Sequence, residues 1–291
     1  MSAFTKCLLF SFMGLLLAAP ASLSAANDPV VKIGVIPRYN PMLIYRFYQP
    51  VVDYLSENTP YRFELKLARD YREAVEFLRQ GTTPIAFLGD LTFAKACEGF
   101  DVVPLVKPLS PTGEPFYHSV VVVRADSPLQ TLQDLKGKSF AFGDLHSSSG
   151  NLVPRYLLHE QGISVLDLRD YAHLRTHDGV IKAVLKGKFD AGAVKDSIAY
   201  HYQDQGLRIL AVSKPIPAVP IAVRKDADAK MALTVQTALL ALDPDQMLQR
   251  ELMKGWDAEF SNGFAPAHKE DYQPIFDMLK AIPGGCGIQC H

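Results

Sequence analysis

Phe140-Ala141-Phe142-Gly143-Asp144-Leu145-His146-Ser147-Ser148-Ser149-Gly150-Asn151-Leu152-Val153-Pro154-Arg155-Tyr156-Leu157-Leu158 is the stretch on which the reading of this chain turns. Its upstream half reads as a short buried strand ending at Gly143. Downstream, Leu152, Val153, Tyr156 and Leu157 share one helical face, and Pro154 is tolerable only in a first turn. Three hydroxyls and a glycine therefore fall at a strand-to-helix junction, where the first helical N–H groups lack intrahelical partners. Unpaired amides and the macrodipole favour an anion at such a place. Serine hydroxyls add donors without formal charge, and Gly150 lets a ligand come close to the backbone. One N-cap uses one hydroxyl, so three in a row point beyond capping. Ser147, Ser148, Ser149 and Gly150 are the first candidate ligand-binding residues.

Outward from this junction the chain alternates strand and helix. Upstream, Val30 to Ile36 reads as a buried strand, and Pro41 to Leu55 as a helix that Pro50 should kink or break. A strand at Arg62 to Leu67 leads to a helix from Tyr71 to Arg79, capped by Asp70 and stopped by Gly81. Pro84 to Gly89, Val102 to Val106 and Ser119 to Arg124 follow as strands. The run Val120-Val121-Val122-Val123 is expected to be buried on both faces. Downstream, Asp178 can cap a helix that Gly187 closes, with a strand over Phe189 to Val194. Leu207 to Val212 and Ile221 to Val223 are strands, and the tail is helical. Such alternation implies α/β layers with a largely parallel sheet.

An internal echo bears on architecture. Ala74-Val75-Glu76-Phe77-Leu78 with Gly81 leads to Ile85-Ala86-Phe87-Leu88-Gly89-Asp90, and Ala183-Val184-Leu185-Lys186-Gly187 leads to Asp190-Ala191-Gly192-Ala193-Val194-Lys195-Asp196. Each is a helix, a glycine stop, a short strand and a terminal aspartate, as a duplicated βαβ unit would give. Extended crossings near Tyr117 to Val121 and Ser213 to Pro220 would join two lobes as hinges.

Bulk properties narrow the function. Lys6, the apolar run Leu8 to Leu17 and the small residues Ser24-Ala25-Ala26 make residues 1–26 a cleavable export signal, too short in its apolar part for a membrane span. The 30 Lys and Arg against 31 Asp and Glu argue against nucleic acid as a partner. Gly137-Lys138-Ser139 fails as a P-loop, since its opening glycine would fall at Leu132. Zincin, nucleophile-elbow and dinucleotide motifs are absent. His177, at a helix start, reads as a ligand donor or a surface histidine, and Tyr71 and Tyr117 read as cleft or packing residues. Cys286-Gly287-Ile288-Gln289-Cys290-His291 has one residue too many for a c-type haem site. It reads as a disulfide or frayed terminus, with haem or metal binding by Cys286, Cys290 and His291 as the sharper alternative. Cys97 reads as a buried helix residue.

Four stretches carry a family resemblance: Ala68-Arg69-Asp70-Tyr71, Phe87-Leu88-Gly89-Asp90, Phe142 to Pro154, and Ile216-Pro217-Ala218-Val219-Pro220-Ile221, supported by Gly263-Phe264 and Asp271-Tyr272. They resemble the periplasmic substrate-binding proteins of phosphonate, phosphite and phosphate ABC transporters. The resemblance implies a type 2 periplasmic binding protein of two α/β lobes, each a mostly parallel sheet flanked by helices. Lobe 1 would be residues 27–118 plus 216–291, and lobe 2 residues 119–215. It implies a non-enzymatic, cofactor-free monomer in the periplasm that hands a small oxyanion to a membrane ABC permease. A sensor kinase as partner, with the same fold as a signalling input module, stays open. The serines would cap the ligand's oxygens, and Tyr71 and His177 would line the cleft. A second cleft tyrosine of aminoalkylphosphonate binders falls at Leu88 here. The acids that hold the ligand's amine fall at Ser197 and Val219, so a ligand without an ammonium is expected.

Overall fold

Val30-Val31-Lys32-Ile33-Gly34-Val35 grows more buried along its length and forms β1 (Val30–Val35). A computed structural model describes residues 30–282; the expected export signal and Cys286, Cys290 and His291 lie outside the described residues. After β1 come α1 (Pro41–Asn58), β2 (Arg62–Leu67), α2 (Tyr71–Arg79), β3 (Ile85–Phe87), α3 (Asp90–Gly99) and β4 (Val102–Pro108). Next are β5 (Phe116–Tyr117), β6 (Ser119–Arg124), β7 (Ser139–Phe142), α4 (Val153–Glu160), β8 (Asp170–His173), α5 (His177–Leu185), β9 (Ala191–Lys195), α6 (Asp196–Tyr200) and β10 (Leu207–Val212). The last elements are β11 (Ile216–Pro217), β12 (Ile221–Arg224), α7 (Ala229–Leu240), α8 (Met247–Met253), β13 (Phe264–Pro266) and α9 (Gln273–Ala281).

The strands make a six-stranded sheet in the order β13-β4-β12-β3-β1-β2 and a five-stranded sheet in the order β10-β6-β9-β7-β8. The two sheets share one plan. β1 lies parallel between β2 and β3, as β7 does between β8 and β9. β12 then runs antiparallel to β3 and β4, as β6 does to β9 and β10. The repeated helix–glycine–strand segment supplies α2 with β3 in one sheet and α5 with β9 in the other. Gly81 and Gly187 sit at φ +72° and +67° after those helices, in the left-handed region where a side chain would be strained. Each sheet is thus parallel in its βαβ half and antiparallel where a crossing strand enters. Between the sheets the chain passes twice, and the passages pair antiparallel as β5 with β11.

Three local expectations differ from the structure. No break occurs at Pro50, because Tyr48, Val51, Val52 and Leu55 to either side bury in one core. The cap of α5 is Thr176, whose hydroxyl accepts from the Gly179 N–H at 3.2 Å, rather than Asp178. The strand expected over Phe189 to Val194 is shifted along the chain: β9 runs Ala191–Lys195, and Asp196 opens α6. Val120 to Val123 are fully buried, with β10 and β9 on either edge and α5 against them. A smaller apolar cluster joins the halves, with Leu91, Tyr117, Leu152, Ile216, Val219 and Ile275 in contact.

Candidate functional site

Parallel strands end in loops that face one crevice, where α/β sheets place their ligands. Six such loops meet here, three from each sheet. Those after β1, β2 and β3 bring Arg38, Tyr71 and Asp90, and those after β7 and β8 bring Ser147, Ser148, Ser149 and His177. Lys195 comes from the end of β9. Tyr117 and Val219 enter from the two passages between the sheets. Together they line a cavity of about 20 Å³, which by the one-sphere criterion admits a single small group. The repeat extends to the site itself: Tyr71 opens α2 behind its cap Asp70, and His177 opens α5 behind Thr176.

The serine motif divides its labour. Ser147 caps a π-helical turn over Ser148–Leu152, accepting from the Gly150 N–H at 3.0 Å. Ser148 reaches toward the first sheet, where its Oγ accepts from the Leu91 N–H at 2.9 Å and donates to Asp90 Oδ1. The Ser149 carbonyl accepts from Ser119 Oγ at 2.7 Å. Gly150 does not line the cavity. A Cβ there would stand 2.9 Å from Gly143 Cα, so its bareness serves a close strand-to-turn crossing and not ligand approach. The Gly143 N–H donates to the Gly150 carbonyl at 2.6 Å across that contact.

Charge is the part that sequence patterns hid. Arg38, Lys195, Asp90, Asp257 and Glu259 are all buried. Glu259 pairs with both Arg38 and Lys195, and Asp257 lies 3.5 Å from Arg38 Nη2. Lys195 Nζ also sits 4.2 Å from the centre of the Tyr117 ring. Burial disfavours the Glu259 charge, yet the two cations outweigh it and hold its carboxyl below the usual range. Despite these pairs, Arg38 Nε and Nη2 and His177 Nδ1 have no hydrogen-bond partner, although both residues are at most 5% exposed. Buried donors left open around one cavity are what an oxyanion would satisfy. Desolvation first, then Arg38 and Lys195, depress the His177 imidazole to about 3. It is therefore neutral, with one N–H to give. Burial raises the Asp90 carboxyl to about 6, against the pull of Ser148, Tyr117 and Lys195. Burial likewise pushes the Tyr71 phenol up, so it stays a donor.

Of the residues singled out in the sequence, Tyr71, Tyr117, Ser147, Ser148, Ser149 and His177 come together here. Arg38, Asp90, Lys195 and Glu259 were missed. A signal existed for three of them, since each ends an apolar strand or follows it by a few residues. Leu88 is buried in the core that also holds Ile36 and Tyr71, and it does not line the cavity. Val219 lines it, and Ser197 lines an adjoining cavity of about 110 Å³ that shares the Tyr117 and Lys195 wall. Asp196, also in that wall, accepts from the N–H groups of His118 at 2.9 Å and Ser197 at 2.7 Å.

Residues 33–272 match the family model of ABC-transporter phosphonate periplasmic substrate-binding proteins. The chain is similar to the phosphate-import protein PhnD of Mycolicibacterium smegmatis, at 30% identity over 62% of this chain and 59% of that protein. It is also similar to the phosphonates-binding periplasmic protein of Escherichia coli, at 26% identity over 77% of this chain and 68% of the other. For the Mycolicibacterium relative the matched part is thus less than two thirds of its length. In fold, it resembles PhnD1 of Prochlorococcus marinus solved with methylphosphonate, with a TM-score of 0.76 and 21% identity over 86% of this chain and 97% of that one. A phosphonate-transporter binding protein of Pseudomonas aeruginosa gives a TM-score of 0.77 at 19% identity, over 86% and 85%.

Proposed function

We propose, from the premise that this chain belongs to the periplasmic substrate-binding family of phosphonate ABC transporters, that it captures a small phosphorus oxyanion for a membrane permease. The ligand would be phosphate, phosphite or a short alkylphosphonate. One observation carries the reading: Arg38 Nε and Nη2 and His177 Nδ1, buried without hydrogen-bond partners, beside the hydroxyls of Ser147 and Ser149 around a cavity of one small group. Sequence reasoning expected capture by neutral donors. The two buried cations change that account, since charge-assisted bonds add to the neutral ones.

Lys195 also bears on which ligand. An aminoalkylphosphonate brings an ammonium that needs a carboxylate once buried. Here the wall already holds an ammonium, Lys195, and the nearby carboxylates are engaged: Glu259 with Arg38 and Lys195, Asp90 with Tyr117 and Ser148, Asp196 with His118 and Ser197. A second ammonium would meet repulsion in place of a partner. Capture would end with residues 119–215 closing on the remainder about the paired passages β5 and β11.

Calorimetric titration with phosphate, phosphite, methylphosphonate, aminoethylphosphonate and sulfate tests the reading. At least one of the first three should bind ten or more times tighter than aminoethylphosphonate, a gap of about 1.4 kcal/mol. Equal or tighter binding of aminoethylphosphonate would overturn the charge argument. No binding by any phosphorus oxyanion would overturn the function. Solution scattering should record a smaller radius of gyration at saturation, and an unchanged radius would remove the closing step.

A further inference from the structure

Asp90 is a carboxylate in a cavity otherwise built for an anion, 1% exposed. The protons around it can be counted. Tyr117 has one hydroxyl proton, and it is spent on Asp90, 3.0 Å from Oδ1 and 3.1 Å from Oδ2. Ser148 has one, directed at Asp90 Oδ1, while its own oxygen takes the Leu91 N–H. With Asp90 ionised, this corner of the cavity presents only lone pairs. An oxyanion lodged there would set acceptor against acceptor.

One added proton reverses the polarity. Held on Asp90, it is donated to Ser148 Oγ, and the Ser148 proton turns to the ligand. Carried by the ligand, its P–O–H donates to Asp90 directly. The bookkeeping is the same either way: the complex holds one proton more than the empty site plus a bare oxyanion. We infer that Asp90 is a specificity-determining residue that couples anion binding to one proton, and favours oxyanions able to carry that proton themselves over sulfate and sulfonates, which leave it to be taken up by Asp90 alone. This rests on the phosphorus-oxyanion reading above and adds a reason for the element. Titratable groups facing Asp90 are Tyr117 from β5, Tyr71 from α2, Tyr272 ahead of α9 and Lys195 from β9. The three phenols are held neutral by burial, so Asp90 is the group among them free to take the proton. Its carboxyl already sits near 6 before any anion arrives, and a bound anion pushes it higher.

The test uses an isosteric pair, methylphosphonate and methylsulfonate, which differ in whether they can carry a proton. Calorimetry of the intact protein at about pH 8.5 in two buffers of different ionisation enthalpy measures proton uptake. Binding of methylphosphonate, largely a dianion there, should take up about one proton, and methylsulfonate should bind at least tenfold weaker. In Asp90→Asn the uptake should vanish and the two affinities should converge to within threefold. Zero uptake by the wild-type protein overturns the inference whether or not the variant folds, as does an unchanged affinity ratio in a folded variant. Failure of the wild-type protein to bind phosphate, phosphite or methylphosphonate would instead strike the underlying function.

Discussion

Replacing Arg38 by glutamine removes a buried charge and two open donors while keeping a planar, hydrogen-bonding side chain. The guanidinium lines the cavity and has no hydrogen-bond partner at Nε or Nη2, although Nη2 lies 3.5 Å from Asp257 Oδ2 as an ion pair. Each charge-assisted hydrogen bond contributes about 1.5–3 kcal/mol, so losing two weakens binding by about 3–6 kcal/mol, or two to four powers of ten in Kd. The fold feels the change too. Glu259 keeps Lys195, but Asp257 loses its nearest cation, at 3.5 Å. An uncompensated buried carboxylate costs about 3–5 kcal/mol at the upper end. Arg38→Lys separates the two effects, because it restores a charge beside Asp257 and Glu259 but not the fork of donors. Calorimetry for affinity and urea titration for stability, run on both variants, are the assay. Expected is a hundredfold or greater loss of methylphosphonate binding in Arg38→Gln, with Arg38→Lys recovering most of the stability but only part of the affinity. A folded Arg38→Gln protein that binds within threefold of wild type would refute the role given to the open donors.

Ser147→Ala should weaken ligand binding by about 1.5–3 kcal/mol through loss of a bond to a charged oxygen, and should lower stability by about 1 kcal/mol through the lost cap; calorimetry and urea titration read the two separately, and unchanged binding places the anion elsewhere. Gly143→Ala forces a methyl to within 2.9 Å of Gly150 Cα, and should cost about 1–3 kcal/mol of stability as an overpacked contact; a melting temperature equal to wild type would contradict it. The His177 imidazole, held near 3 by burial, should give a flat proton resonance across about pH 5–8 in the ligand-free protein, and an inflection there would refute burial as the cause. Because its folded value lies below the unfolded one, its contribution to stability is present above about 6.5 and is lost as pH falls toward 3. Asp90 has the opposite sign: raised to about 6, it contributes stability below about 3.8 that is lost as pH rises through 6. Asp90→Asn should therefore gain on wild type between pH 4 and 7 in urea titrations, and a constant gap would show that the carboxyl is not shifted.

The βαβ plan was legible because it rests on short-range signals. Apolar runs, glycine stops and Asp70 at its cap state their structure within a few residues, and the echo of α2–β3 in α5–β9 carried through to two sheets of one design. The serine motif was legible for the same reason. Competing local signals caused the errors. Thr176 and Asp178 both suit a cap, and backbone geometry chose the earlier one. Pro50 looked like a break, but packing on both of its sides holds the helix together. Gly150 looked like room for a ligand, and the occupant of that room is Gly143. The charged residues were hidden by separation: Arg38 and Glu259 stand far apart in the chain, and either one alone reads as surface. Their burial is a product of tertiary pairing that no window along the chain contains.

The order of strands in the larger sheet also governs the order of folding. β12 lies between β3 and β4, yet it is made only after the whole of the second sheet, whose strands all fall within residues 119–212. Until residues 221–224 arrive, β3 and β4 each present an open edge, and their core still lacks Met231, Val235, Trp256 and Phe260. The first-made half is therefore the last to be finished, while the inserted half has every strand it needs as soon as it is synthesised. A chain truncated after residue 215 should then yield a protease-resistant fragment from the 119–212 region and none from the residues before it. For a periplasmic protein, which reaches its compartment across a membrane, a sheet that cannot lock until its late central strand arrives postpones premature folding by topology alone.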